Sequence, residues 1–106
     1  MAITITTTNY ETEILKASKP AVVDIYATWC GPCQQMAPHF EALSTELKDQ
    51  YTFGKINVDE ARELSIKLGV SSVPTLVFFK NGTVVGKEVG YLSKEALKAK
   101  ITQYLG

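Results

Sequence analysis

The sequence predicts an α/β fold, a three-layer α/β/α sandwich with helices on both faces of a mixed sheet. Three observations carry that prediction. Strand-like and helix-like segments alternate through the first two thirds of the chain. Residues 21–27 are almost continuously apolar, as in a central strand covered on both faces. Two β-rich runs then meet at Asn81 and Gly82, a strong hairpin signal, so the last two strands are antiparallel.

Taken in order, Ile3 and Ile5 alternate with Thr4 and Thr6 and suggest a short edge strand. Tyr10 and Ile14 share a helical face over residues 10–17, with Thr8 or Asn9 as cap and Pro20 barring continuation. The strand at 21–27 follows, interrupted by Asp24. Met36, Phe40, Leu43 and Leu47 then recur at spacings of four, three and four residues and mark the core stripe of a long helix, from which Pro38 removes one backbone donor. Residues 53–58 read as a strand. Residues 60–68 read as a helix with Ala61, Leu64 and Leu68 inward and Gly69 as its cap. After the hairpin of 75–80 and 83–89, Leu97, Ile101 and Leu105 give a terminal helix its inner stripe, with Ser93 as cap.

A chain of 106 residues is expected to form one domain, spanning 1–106. Hydrophobic residues at 45% and charged residues at 21% are ordinary for a globular protein, and 11 basic side chains balance 11 acidic ones. Without a basic run, neither nucleic acid nor an anionic membrane is an expected partner; the balanced surface points to no oligomeric state, and a monomer is expected. The Thr-rich start lacks the charged head and apolar block of a signal peptide, so a cytoplasmic location is expected.

Both cysteines lie in the stretch Trp29, Cys30, Gly31, Pro32, Cys33, where a buried strand ends and a helix begins. Two cysteines separated by two residues can close into a disulfide or open into a dithiol. In a reducing compartment such a pair reads as redox-active, catalytic or metal-binding rather than as a staple. Unpaired N–H groups at the helix start favour a thiolate on Cys30, and Pro32 fits the first turn, where its missing N–H costs nothing. Cys30 is thus the expected nucleophile and the more exposed thiol, and Cys33 the resolving thiol. The competing readings are half a zinc site or two inert thiols. A tetrahedral zinc centre needs two further ligands, and the chain has one histidine, His39, expected on the helix surface.

Asp24 is the second informative residue. A carboxylate within an apolar strand loses hydration, which raises its pKa and poises it for proton transfer near neutral pH. The alternatives are an aspartate that reaches solvent at the strand end or one paired with a lysine.

Trp29 through Cys33, Asp24, the segment Val73, Pro74, Thr75, the hairpin Lys80, Asn81, Gly82 and the late Gly90 together resemble the thioredoxin family, from end to end of the chain. The resemblance implies a central five-stranded mixed sheet flanked by four helices. It implies a thiol–disulfide oxidoreductase that reduces protein disulfides through a mixed disulfide, with no cofactor beyond its own Cys30–Cys33 pair. Its partners would be disulfide-containing substrate proteins and a reductase that restores the dithiol. On this resemblance Asp24 deprotonates Cys33 through a water, Lys55 pairs with Asp24 and modulates it, and Pro74 follows a cis bond. Trp29, Gly31, Pro32, Val73, Pro74 and Gly90 would surround the cysteines as a docking surface, with Val73 offering backbone to an extended peptide.

Two positions depart from the commonest family pattern. Gln34 stands where many members carry lysine, and Tyr91 stands where a small residue is usual and would extend or narrow the docking face. Two other functions compete with this one. An oxidant or isomerase on the same fold usually has other residues between its cysteines, and a binding module would use the docking surface without turnover.

Overall fold

The computed structural model describes residues 1–106. It places β1 at Ile3–Thr4, β2 at Ala21–Tyr26, α1 at Gly31–Glu46, β3 at Thr52–Asn57, α2 at Arg62–Lys67, β4 at Thr75–Lys80, β5 at Thr83–Val89 and α3 at Lys94–Leu105. The five strands form one sheet in the order β1-β3-β2-β4-β5. β1, β3 and β2 are parallel, whereas β4 runs antiparallel to both β2 and β5. The parallel half followed by a hairpin is the predicted topology, with β1 at the edge.

Because strand side chains alternate, β2 feeds two cores. Val22 joins Met36, Phe40, Leu43, Phe78, Leu97 and Ile101 beneath α1 and α3. Val23 and Ile25 join Ile14, Ile56, Leu64, Val77 and Phe79 on the other face, which α2 and the 11–15 turn cover. Asp24 shares the α1 face with Val22, and this parity decides where its carboxylate goes.

Three elements depart from expectation. The first helix is a five-residue π-helical turn, Glu11–Leu15, in which Lys16 N–H donates to Glu11 O at 2.9 Å. Its expected cap is engaged elsewhere: Asn9 accepts from Thr6 N–H at 2.8 Å and donates to Thr4 O at 2.9 Å. Tyr10 and Ile14 are nevertheless both buried. β3 begins and ends one residue earlier than expected. α2 starts late because Asn57 holds the preceding residues in a turn, its carbonyl accepting from Glu60 and Ala61 and its side chain from Asp59 N–H. The end of α2 is as predicted. Gly69 takes φ +73°, and Val70 N–H closes back onto Ser65 O at 3.0 Å.

The hairpin and the terminal helix also agree with expectation. Asn81 and Gly82 both have positive φ, the conformation a two-residue hairpin loop demands. Ser93 Oγ accepts from Ala96 N–H at 3.2 Å and caps α3. α3 is held on the sheet by Tyr104, whose ring stacks on Phe78 at 4.6 Å and whose hydroxyl donates to Glu88 at 2.6 Å. Gly86 leaves room for that ring, since a Cβ there would lie 2.3 Å from Tyr104 Cε1. Gly86→Ala is therefore expected to lower stability by about 1–3 kcal/mol, read as a reduced urea midpoint with unchanged slope. An unchanged midpoint would show that Tyr104 can move aside freely.

Candidate redox site

The site assembles where β2 runs out into α1. Cys30 occupies the N-cap with extended backbone, and Gly31 and Pro32 open the helix. Instead of a hydroxyl or carboxylate, a sulfur caps this helix: Cys30 Sγ accepts from Cys33 N–H at 3.2 Å. Negative charge on that sulfur meets both a donor and the positive end of a 16-residue helix. Cys30 Sγ also lies 3.8 Å from Val73 O, to which the protonated thiol can donate. Both cysteines are free thiols.

The expected order of exposure holds, but the contrast is small. Cys30 is 6% exposed and Cys33 3%, so both are buried, in a small cluster with Ala27 against Tyr26, Val58 and Val73. Capping draws the Cys30 sulfur onto the helix end rather than outward. The thiols differ more in environment than in exposure. Burial pushes the Cys33 thiol up to about 12, with the hydrogen bond to Cys30 and the neighbouring Asp24 charge acting in the same direction.

Asp24 is 4% exposed, and its Oδ1 has no hydrogen-bond partner. Loss of hydration raises its pKa to about 7, with Lys55 pulling it down and Glu41 pushing it up. The reading of Asp24 as a buried, perturbed acid thus agrees with the geometry, and the solvent-reaching alternative does not. The expected Lys55–Asp24 pair is corrected. Lys55 is opposite Asp24 in the β2–β3 register, but its ammonium lies 3.4 Å from Glu41 Oε2 and acts on Asp24 only through its field. A cavity of about 280 Å³ joins these groups, with Asp24, Cys33, Gln34, Phe40, Glu41 and Lys55 in its wall. Gln34 takes part through a hydrogen bond to Thr28 O at 2.6 Å.

Of the predicted docking residues, Gly31 and Pro32 lie between the cysteines in the chain and Val73 packs against them. The Val73–Pro74 bond is cis, and Gly90, at φ +103°, donates its N–H to Pro74 O at 2.9 Å, which joins the two loops. Trp29 is 70% exposed, and its indole N–H donates to Asp59 at 2.9 Å. A groove of about 510 Å³ runs beside it, between Val73, Val58 and Ile66. Tyr91 is 44% exposed and meets His39 edge-on, with its hydroxyl 3.1 Å from His39 Nε2.

Sequence reasoning missed Asp59 and Glu41. Asp59 carried no local signal. Glu41 did, because Cys33, Ala37, Phe40 and Glu41 follow the helical spacing that turns one face toward Asp24. No group of three or more His, Cys, Asp or Glu side chains comes together to hold a metal ion. No helix is long and apolar enough to cross a membrane.

The thioredoxin family model matches residues 1–103. The chain belongs to the thioredoxin family. Its five-stranded mixed sheet with four helical elements is the thioredoxin fold. Among curated proteins, the thioredoxin of Rhodospirillum rubrum is 46% identical over 89 residues, 84% of this chain and 86% of that one. The thioredoxin of Alicyclobacillus acidocaldarius subsp. acidocaldarius is 40% identical over 103 residues, 97% of each chain. That of Mycoplasmoides gallisepticum is 42% identical over 86 residues, 81% of this chain and 85% of the relative. Membership of the thioredoxin family makes this protein a thiol–disulfide oxidoreductase.

Proposed function

We propose that the protein reduces protein disulfides, with Cys30 as nucleophile, Cys33 as resolving thiol and Asp24 as the group that takes the Cys33 proton. The observation that carries this reading is the sulfur cap: Cys30 Sγ receives the Cys33 N–H at the start of α1, while the Cys33 thiol is buried beside Asp24. The Cys30 thiolate attacks one sulfur of a substrate disulfide, forming a mixed disulfide and releasing the first substrate thiolate. The Cys33 S–H bond then breaks. Its proton passes to Asp24, and its electron pair forms the Cys30–Cys33 bond as the second substrate thiolate leaves and is protonated.

A raised Cys33 pKa and an Asp24 pKa near 7 suit this order of events. Cys33 stays a thiol until attack on Cys30 begins, and beside it waits a carboxylate raised to about 7, ionised enough near neutral pH to accept the proton as the S–S bond forms. Trp29, Gly31, Pro32, Val73, Pro74, Gly90 and Tyr91 form the proposed docking surface, in which the Val73 backbone pairs with an extended substrate segment as an added strand would. Lys55 modulates Asp24 through its charge. The proposed partners are disulfide-containing proteins and a reductase that restores the dithiol. The protein works as a cytoplasmic monomer without a separate cofactor, where a reducing thiol pool keeps the pair open.

The test is reduction of insulin by dithiothreitol, followed as turbidity. The wild type is expected to shorten the lag sharply, and Cys30→Ser to return it to that of dithiothreitol alone. No acceleration by the wild type would sink the reductase reading and leave a binding module.

A further inference from the structure

We propose that Glu41 is a positioning residue for the proton step at Asp24: it holds the Lys55 ammonium on its own carboxylate and so keeps that charge from neutralising the buried aspartate. The proposal deepens the reading of Asp24 as proton acceptor. Its core, the hold on Lys55, stands on geometry alone.

Lys55 has a choice of acid. Register sets it beside Asp24 on the neighbouring strand, and both side chains are on the α1 face, since Lys55 and Phe53 share parity on β3 as Asp24 and Val22 do on β2. A lysine side chain can span from one strand to the next, which are about 5 Å apart. Asp24 Oδ1 is buried and unpartnered and would gain most from the ammonium, yet Lys55 Nζ is 3.4 Å from Glu41 Oε2.

Glu41 is fixed to do this. Its Oε1 accepts from Ala2 N–H at 3.1 Å and lies 3.5 Å from Ser44 Oγ, so the N-terminal segment and α1 orient the carboxylate together. At 34% and 39% side-chain exposure, the Lys55–Glu41 pair adds little to stability by itself. Its effect on the cavity is larger. A lysine that moved onto Asp24 would stabilise the aspartate anion and weaken it as a base.

The charged and titratable groups that face Asp24 are Lys55 from β3, Glu41 and Cys33 from α1, and Tyr26 further along β2, while its β4 partner is Leu76. Of these, Lys55 is the one cation. Glu41 therefore controls the one nearby group able to depress the Asp24 titration.

Glu41→Gln keeps the shape and the acceptor for Ala2 but gives up the charge that holds Lys55. Carbon-13 NMR of the Asp24 carboxyl is expected to show its titration midpoint falling by about one pH unit. Glu41→Ala, which offers Lys55 no acceptor, should move it the same way. In a Lys55→Met background there is no ammonium to release, so the effect of Glu41→Gln should shrink to a small remnant. An unmoved midpoint in both Glu41 variants, or an equal shift with and without Lys55, overturns the proposal. The acid limb of the pH profile for disulfide reduction should move with the midpoint. If the midpoint falls and the limb stays, the positioning by Glu41 is supported and the role of Asp24 as proton acceptor is what fails.

Discussion

Asp24→Asn is expected to stabilise the fold at pH 8 by roughly 2–4 kcal/mol while changing it little at pH 4. The sign follows from the direction of the shift. An aspartate in the unfolded chain titrates near 3.9, whereas in the folded protein Asp24 is raised to about 7 by burial. Below pH 4 it is protonated in both states and costs nothing. As pH rises towards 7 the unfolded chain ionises first, and stability falls. Above 7 the folded protein carries a buried anion whose Oδ1 has no hydrogen-bond partner. A gap of about three pH units is worth roughly 4 kcal/mol, reduced because asparagine also buries a polar group. Urea denaturation of both proteins from pH 4 to pH 8 measures this. A difference that stays flat across the range, or a loss of stability at pH 8, would refute a costly buried charge. The same substitution is expected to slow disulfide reduction, since on the proposed mechanism it removes the base beside Cys33 while relieving the buried charge.

The parts of the fold legible in the sequence are those that rest on local pattern. The apolar run of β2 needed only its composition, the hairpin only Asn81 and Gly82, and α3 only its spacing and Ser93. Local pattern fails where a side chain makes its hydrogen bonds to other segments. Asn9 has the right identity for a cap but binds Thr4 and Thr6, and Asn57 delays α2 by gathering three N–H groups. The site divides in the same way. The cysteines and the buried aspartate were legible because each is set by its place along the chain, whereas the cis bond before Pro74 was legible only through the family resemblance. The partner of Lys55 was not, because two acids lie within its reach and the choice depends on how Ala2 and Ser44 orient Glu41. Nor was the burial of Cys30, since a sulfur that caps a helix folds inward where an ordinary strand-end cysteine would project.

Cys33→Ser is expected to halt turnover at the mixed disulfide and accumulate it in near-stoichiometric amount with a disulfide substrate. The backbone N–H of residue 33, which Cys30 Sγ receives, belongs to the main chain and survives the substitution. Cys30, the proposed nucleophile, therefore keeps its contact with that N–H and its place at the helix terminus, and attack is expected to proceed. Resolution cannot, because a serine hydroxyl does not displace a thiolate from sulfur under these conditions. Non-reducing electrophoresis and intact mass should reveal one substrate chain per protein, released by dithiothreitol, while Cys30→Ser captures none. Equal capture by both variants would show that the two thiols are interchangeable and would overturn the assigned roles. The two steps can also be separated by combining substitutions. If Asp24 acts by taking the Cys33 proton, Asp24→Asn should slow turnover of the wild type severalfold yet leave the capture rate of Cys33→Ser nearly unchanged, since capture contains no resolving step. A similar slowing of both would place Asp24 at the attack by Cys30 instead. The burial of Asp24 beside Cys33, in one cavity with it, favours the first outcome.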